Sequence, residues 1–169
     1  MQIITAYDDI ALEHVIALTQ EYVTWMVAEI VQHYPELRLS EFTSEHEYDD
    51  VSKKFPGEHV PPYGCLLLAV DGQQAAGSIA LAKLEDGIGE LRSLFVRPEY
   101  RGTGVGRQLV DAALMQAKEI GYRHVRLDTL GFMTGAQTLY RSYGFEVIPP
   151  YLPLSDNLRQ YIHFMELKL

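Results

Sequence analysis

The chain has 169 residues, of which 47% are hydrophobic and 22% charged, and its formal net charge at pH 7 is −9. This length and composition predict a single globular domain over residues 1–169, with a substantial core. The negative charge argues against a general nucleic-acid or anionic-membrane binder, because neutralising phosphate groups requires clustered Lys and Arg. We therefore expect neither nucleic acid nor membrane as a partner.

Cysteine usage and the N-terminus predict a cytoplasmic protein. The only cysteine, Cys65, cannot form an internal disulfide, which fits a reducing compartment. Its neighbours in "GCLLLAV" are apolar, so we expect a buried, inert thiol rather than a nucleophile. The N-terminus lacks a basic segment followed by an apolar run, and no apolar stretch approaches the length of a membrane span.

The first third of the chain is predicted to be mainly helical. "MQIITAY" predicts a first strand, and Asp8 or Asp9 is expected to cap a long helix through residues 10–32, where apolar side chains recur at helical spacing. A second, more polar helix is predicted through "SEFTSEHEYDDVSKKF", with Ser40 as its cap and Pro56–Gly57 as its stop.

The remaining elements alternate between strands and helices. Two apolar runs around Asp71–Gly72 predict an antiparallel hairpin, and "GELRSLFV" predicts the next strand. A helix is predicted from Gly104 to Ile120, stopped by Gly121. The resulting order, β-α-α-β-β-β-α-β-α-β-β, indicates a mixed α+β domain. The last elements are a strand over 123–130, a helix over 134–144 and strands over 145–150 and 160–169.

The stretch "RPEYRGTGVGRQL" has glycines at alternate positions, Gly102, Gly104 and Gly106, between a predicted strand and a predicted helix. A loop that curls around an anion needs several backbone N–H groups pointing to one place, and glycine tolerates the positive φ this requires. The helix N-terminus also favours negative charge, and Arg101 and Arg107 add charged donors. We therefore predict a phosphate or pyrophosphate cradle; the alternative is a loop that only turns tightly.

Two common nucleotide-binding loops do not fit this stretch. The loop G-x-x-x-x-G-K-S/T requires a Lys directly after a glycine, which is absent here. The dinucleotide motif G-x-G-x-x-G, counted from Gly102, would need its last glycine at Arg107.

The stretch "RGTGVG" resembles the acyl-CoA-binding motif Q/R-x-x-G-x-G/A of the GNAT superfamily of N-acyltransferases, with Arg101, Gly104 and Gly106 at the defining positions. "LFVRPEYR" is similar to the usual lead-in, and "AQTLYRSYGF" to the C-terminal motif A-x-x-L-Y-x-x-x-G-F. The resemblance extends from about Glu90 to Phe145. It implies an α+β fold with a central mixed, mostly antiparallel sheet that has a V-shaped splay and is flanked by helices.

The resemblance implies transfer of an acyl group, usually acetyl, from coenzyme A to an amine. We expect direct attack by the amine, without an acyl-enzyme, because no suitable nucleophile is visible in the sequence. Acetyl-CoA is then the expected cosubstrate, a small-molecule or protein amine the expected acceptor, and no metal is expected. The loop amides would hold the pyrophosphate, and the preceding strand would pair with the pantetheine arm and stabilise the oxyanion near Leu94. The implied cofactor-binding residues are Leu94, Phe95, Val96, Arg101, Gly102, Thr103, Gly104, Val105, Gly106 and Arg107.

The resemblance also implies two catalytic residues. Tyr140 occupies the usual position of the general acid, which protonates the departing thiolate; the alternative is a core tyrosine, a role that Tyr143 or Phe145 fits better. A lysine-like amine with a pKa of about 10.4 is protonated at pH 7, so a base or a wire of waters must deprotonate it. Glu90 matches the position of such a base, or is an ordinary solvated carboxylate at the start of a strand. Met133 stands where many relatives have Asn, and methionine cannot reproduce the hydrogen bonds of an amide.

Several features of the sequence leave alternatives open. "HEYDD" at 46–50 departs from the metalloprotease pattern H-E-x-x-H at Asp50, so a solvated acidic helix face is expected, one that would favour a small cationic acceptor. A non-catalytic acyl-CoA-binding or sensing module would keep the glycine loop but need neither Tyr140 nor Glu90. An exposed final strand would allow a homodimer. Four residues are candidates for the acceptor pocket, and the first three, which are at helical spacing, fit the core as an alternative: Tyr22, Trp25, Met26 and Tyr34.

Overall fold

The computed structural model of the chain describes residues 1–38 and 55–169. Within these residues seven strands form one mixed sheet in the order β1-β2-β3-β4-β5-β7-β6, and only β4 and β5 are parallel. The predicted polar helix with its Ser40 cap, the "HEYDD" stretch and the other acidic residues at 41–50 lie outside the described residues. The strands are β1 (Gln2–Thr5), β2 (Cys65–Asp71), β3 (Gln74–Glu85), β4 (Ile88–Val96), β5 (His124–Leu130), β6 (Glu146–Ile148) and β7 (Ile162–Lys168).

Within residues 1–38 and 55–169 the helices follow the predicted order, with one addition. A four-residue helix in the connection before the last strand was not predicted, because a single turn has no readable periodicity. A 3₁₀ turn over Pro98–Tyr100 leads from β4 into the glycine loop. The helices are α1 (Asp9–His33), α2 (Val105–Ile120), α3 (Thr134–Ser142) and the short α4 (Asp156–Arg159).

Local signals set the ends of the two long helices. The side chain of Asp8 accepts a hydrogen bond from the Ala11 N–H at 2.9 Å, which satisfies one free donor of the first turn of α1. Gly104 and Gly121 flank α2 with φ of 92° and 96°, a region that favours glycine. The predicted cap at Asp8 and the predicted stop at Gly121 are confirmed.

Gly121 gives a prediction about stability. A Cβ at Gly121 would meet no atom within 4 Å, so Gly121→Ala should cost only the left-handed backbone strain, about 1–2 kcal/mol of unfolding free energy. Gly135→Ala is the matched control, because its Cβ also meets open space but its φ is not positive. Urea unfolding of both variants should show a lower unfolding free energy for Gly121→Ala alone. Equal losses would contradict this account of the cap.

The hydrophobic core lies on both faces of the sheet. On one face α2 buries Leu109, Val110 and Ala113 against the central strands. On the other face α1 packs Val15 and Leu18 against the sheet. The sheet is therefore covered on both sides, as expected for helices that flank it. Cys65 is 1% exposed and burial raises the pKa of its thiol to about 12, which confirms the predicted buried thiol.

β4 and β5 separate along their length, which confirms the predicted splay. Their parallel pairing covers only Ile88–Glu90 against His124–Arg126. Beyond these residues β4 pairs only with β3, and β5 pairs with β7. In the separated part of β4, Ser93 and Leu94 together stand opposite Ile79, which is a β-bulge, and Ser93 has a φ of 52°. A wedge-shaped gap thus opens at the centre of the sheet.

The final strand is not at the edge of the sheet. β7 lies between β5 and β6, and within the described residues the sheet ends at β1 and β6. The argument for a homodimer from an exposed final strand therefore does not hold, although a dimer stays a prediction. None of the helices in the described part of the chain is long and apolar enough to cross a membrane.

Candidate active site

Two cavities meet at the gap between β4 and β5. The first, here called the loop cavity, has a volume of about 420 Å³ and lies between the glycine loop, the end of β4, α1 and the start of α3. The second, called the carboxylate cavity, has a volume of about 850 Å³ and contains Glu58, Glu90 and Asp128 in its lining. Both cavities share four lining residues: Tyr22, Leu94, Met133 and Ala136.

The glycine loop exposes backbone donors to the loop cavity. Gly102 and Gly104 have φ of 77° and 92°, so the chain here follows a path that other residues rarely take. The first hydrogen bond within α2 runs from the Gln108 N–H to the Gly104 carbonyl at 3.0 Å. The N–H groups of the preceding first turn, from Val105 to Arg107, have no acceptor within the helix. This end of α2 is therefore suited to an anion.

The loop also leaves room for a ligand. A Cβ at Gly102 would meet no atom within 4 Å, and one at Gly106 would make only ordinary contacts of 3.6–3.7 Å with Leu139 and Val96. Packing within the protein therefore does not require glycine at either position. The missing side chains instead keep the space beside the N–H groups open, which fits a bound phosphate group.

The three arginines around the loop have different surroundings. Arg97 forms two hydrogen bonds with the Glu21 carboxylate, at 2.9 and 2.6 Å, and therefore fastens the end of β4 to α1. The guanidinium of Arg101 lies 4.9 Å from the centre of the Trp25 ring, in the lining of the loop cavity. Arg107 donates to Ser142 Oγ at 3.0 Å and bridges α2 and α3. Of these three arginines, Arg101 is the one in the lining of the loop cavity.

The predicted cofactor strand forms one wall of the gap. Leu94 lines both cavities, whereas Phe95 and Val96 line the loop cavity alone. The Phe95 ring is 5% exposed and packs 6.4 Å from Trp25. The Val96 carbonyl accepts a hydrogen bond of 3.0 Å from Arg101 Nε. The strand and the glycine loop therefore line one continuous channel.

Tyr140 is one of the residues that line the carboxylate cavity. It projects from α3, is 6% exposed and packs 5.6 Å from the Phe145 ring. Burial raises the pKa of Tyr140 well above its usual value, and the nearby Tyr22 and Asp128 raise it further. The phenol is therefore neutral over the working pH range. Tyr143, in contrast, donates to the Asp111 carboxylate at 2.6 Å, between α2 and α3.

Glu90 is not a solvated carboxylate. It is 3% exposed in the lining of the carboxylate cavity. One carboxylate oxygen accepts a hydrogen bond from Arg92 Nε, and the other accepts a hydrogen bond of 2.7 Å from the Tyr151 hydroxyl. Burial, followed by this hydrogen bond, raises the pKa of Tyr151, so its proton stays in place. Both oxygens of Glu90 are thus engaged, which favours a charge held in position.

Asp128 was not singled out from the sequence, yet it lies beside these residues. It stands on β5 two positions beyond Arg126, the last residue paired with β4, and therefore on the same face as Glu90 at the start of the gap. Asp128 is an exposed residue, open to solvent through the cavity that it lines, and the protein atoms around its carboxylate displace part of the surrounding water. Burial, followed by repulsion from Glu90, raises its pKa to about 6, and Arg92 partly opposes this shift. A carboxylate with this pKa can act as a general base near neutral pH.

Asp128 was missed because its place in the sequence is ordinary. In "VRLDTL" the charged residues Arg126 and Asp128 alternate with buried ones, which is the pattern of a strand with one buried face. Its partners Glu90 and Tyr140 come from β4 and α3, so the group becomes visible only in the fold.

The four residues considered for the acceptor pocket have different surroundings. Tyr22 lines both, Trp25 lines the loop cavity and Met26 the carboxylate cavity. Tyr34 lines neither and packs 4.4 Å from the Tyr161 ring. Met133 lies where the cavities meet, and its Sδ accepts from the Thr129 hydroxyl at 3.7 Å. In the described ranges, no three His, Cys, Asp or Glu side chains converge as a metal site.

Comparison with known sequences identifies acetyltransferases as relatives of this chain. The model of the acetyltransferase (GNAT) family matches residues 25–145. An uncharacterised N-acetyltransferase of Schizosaccharomyces pombe is 33% identical over 127 residues, which cover 72% of this chain and 76% of that protein. An uncharacterised N-acetyltransferase of Dictyostelium discoideum is 39% identical over 82 residues, but these cover only 47% of this chain and 36% of that protein.

Solved structures share the fold. The ribosomal-protein-alanine N-acetyltransferase of Brucella melitensis superimposes with a TM-score of 0.73 over 100% of both chains, at 17% identity. A GNAT family acetyltransferase of Elizabethkingia anophelis with acetyl-CoA bound gives a TM-score of 0.54 at 21% identity, over 63% of this chain and 77% of that one. At these identities the likeness establishes the fold alone.

Proposed function

Because the chain belongs to the GNAT family of acetyltransferases, we propose that it transfers an acetyl group from acetyl-CoA to a primary amine by direct attack. The observation that carries this proposal is the meeting of the two cavities at the gap between β4 and β5. One cavity has the donors for a phosphate-bearing cosubstrate, and the other has carboxylates for an ammonium group. The reacting atoms meet where Leu94 and Met133 line both.

The loop cavity accommodates the cosubstrate. The free N–H groups at the start of α2 bind the pyrophosphate, and Arg101 adds a charged donor at the mouth of the cavity. The pantetheine arm extends along Leu94, Phe95 and Val96 in the gap. The acetyl-CoA in the Elizabethkingia neighbour supports this choice of cosubstrate. Met133 packs against the arm without the hydrogen bonds that an Asn would make.

The carboxylate cavity carries out the proton transfers. Asp128 accepts a proton from the ammonium group of the acceptor, and the free amine nitrogen then attacks the thioester carbon. The Leu94 N–H stabilises the oxyanion that forms. As the C–S bond breaks, Tyr140 donates its phenolic proton to the thiolate, and the second proton of the attacking nitrogen passes to the Tyr140 phenolate as the neutral amide forms. Glu90, held by Arg92 and Tyr151, adds negative charge that draws the ammonium group towards Asp128.

The proposed function is tested by thiol release from acetyl-CoA across a panel of primary amines. Amine-dependent release of CoA, with the acetylated amine identified by mass spectrometry, is the expected result. If acetyl-CoA binds but no amine accelerates its cleavage, the chain is a binding or sensing module instead.

Tyr140→Phe separates the two functions further. We expect kcat to fall by about ten- to a hundredfold, because the CoA thiolate then leaves without a positioned proton donor. Loss of the hydroxyl should leave acetyl-CoA affinity unchanged, since Tyr140 lines the carboxylate cavity and not the loop cavity. Steady-state kinetics and titration of the same preparation measure both quantities. Turnover equal to wild type would exclude Tyr140 as the acid.

A further inference from the structure

The loop cavity and the carboxylate cavity meet at a passage bordered by four side chains. Leu94 lies on β4, Tyr22 on α1 and Ala136 on α3, and Met133 stands directly before α3. In the proposed function the thioester lies at this passage, with the pantetheine arm on one side and the acceptor amine on the other. The four side chains therefore border the space for the acyl group.

Met133 is the border residue with a long, unbranched side chain. The centre of the Tyr22 ring lies 5.7 Å from that of the Phe95 ring, and the side chain of Ala136 is a single methyl group. Leu94 is tied to the reaction, since its N–H is the proposed donor to the oxyanion. Met133 is therefore the border residue that can set the room beside the thioester carbon without taking part in the chemistry.

Hydrogen bonds hold Met133 in this position. Its N–H donates to the Leu130 carbonyl at 2.9 Å, and its carbonyl accepts from the Gln137 N–H at 3.1 Å. Its Sδ accepts a hydrogen bond of 3.7 Å from the hydroxyl of Thr129, a residue that is 6% exposed. The backbone is thus anchored to β5 and α3, and the side chain has to give up its contact with Thr129 to swing away from the passage.

An acyl chain longer than acetyl has little space at the passage. It cannot fold back into the loop cavity, because the pantetheine arm occupies that space in the proposed complex. It cannot extend freely into the carboxylate cavity, because the acceptor amine approaches the thioester carbon from there. The additional methylene groups therefore press against the border of the passage, and forcing extra atoms into a filled space is unfavourable.

We propose that Met133 determines the specificity for the acyl group, because its side chain leaves room for acetyl and excludes chains of about four or more carbons. This inference rests on the proposed function, since that function places the thioester between the two cavities. Met133 thereby selects between acyl donors and takes no part in the proton transfers.

The test compares acetyl-CoA with butyryl-CoA in the thiol-release assay, with the best amine of the panel as acceptor. In the wild type we expect kcat/KM for acetyl-CoA to exceed that for butyryl-CoA at least about tenfold, the scale on which a methylene group in a filled site is discriminated. Met133→Ala removes Sδ and its two neighbouring carbons, which makes room for the longer chain. The value of kcat/KM for butyryl-CoA itself should then rise at least about fivefold.

Two further variants show whether the effect belongs to the size of this side chain. Met133→Leu keeps an apolar side chain of similar volume, so its preference for acetyl-CoA should stay within about twofold of the wild-type value. Met26→Ala is the matched control, because it makes the same truncation in the lining of the carboxylate cavity but not at the passage. Its ratio between the two thioesters should equal that of the wild type.

The outcomes separate the two proposals. If neither thioester is cleaved with any amine, the proposed function fails and this inference falls with it. If acetyl-CoA is used but the wild type cleaves butyryl-CoA equally well, or if Met133→Ala gains no more than Met26→Ala, only the role of Met133 is overturned. Should Met133→Ala not fold, Met133→Val, which shortens the side chain by less, makes the same comparison.

Discussion

Asp128→Asn is expected to lower kcat/KM for the amine by about a hundred- to a thousandfold at pH 7.5, because the amide cannot take the proton from the ammonium group. Asp128 in the wild type has a pKa of about 6, so the rate should rise as the pH increases through 6 and the carboxylate ionises. The variant should lose this acidic limb of the profile. Steady-state kinetics between about pH 5 and pH 9 measure both effects.

The stability of the variant distinguishes a catalytic from a structural role. The folded state raises the pKa of Asp128, so ionisation of this group destabilises the fold as the pH rises through about 6. Asp128→Asn should therefore be at least as stable as wild type at pH 7.5. Asp71→Asn, the same change at the exposed end of β2, is the matched control and should leave the rate unchanged. An unaltered pH profile in Asp128→Asn would assign the base to Glu90 or to water.

Gly104→Glu is expected to weaken acetyl-CoA binding by at least about a hundredfold. A carboxylate at this position places negative charge beside the N–H groups that bind the pyrophosphate, and each such charged hydrogen bond contributes about 1.5–3 kcal/mol. Gly104 has a φ of 92°, so part of any effect will be backbone strain. Calorimetric titration of the folded variant measures the loss of affinity.

Gly104→Ala separates strain from charge in this experiment. Its Cβ would have only the Gln108 side chain at 4.0 Å, and it carries the same left-handed strain as the Glu variant. We expect both variants to lose similar unfolding free energy, but only Gly104→Glu to lose most of its affinity. Unchanged affinity in folded Gly104→Glu would refute the pyrophosphate cradle.

The features that depend on short stretches of sequence could be predicted. Both ends of α2 are set by glycines at positive φ, and the glycine loop lies directly before it. The motif around Tyr140 likewise implied the helix on which this residue lies. Each of these features needs only local backbone conformation, so a stretch of about ten residues contains the information.

Apart from the splay of the sheet, which the family resemblance implied, the features that depend on tertiary contacts could not be predicted. Asp128 meets Glu90 only because β4 and β5 are adjacent and then separate, and Tyr151 reaches Glu90 from 61 positions further along the chain. The position of β7 between β5 and β6 is likewise a choice of topology that element order leaves open.

The most direct test of the central claim, that the loop cavity binds acetyl-CoA for transfer, is calorimetric titration with acetyl-CoA, CoA and NAD. Micromolar binding of acetyl-CoA and CoA, with no binding of NAD, is the predicted result. Quenching or enhancement of the fluorescence of Trp25, the only tryptophan and a lining residue of this cavity, should follow the same isotherm. Absence of binding by both CoA species would contradict the account, because the glycine loop would then serve the fold alone.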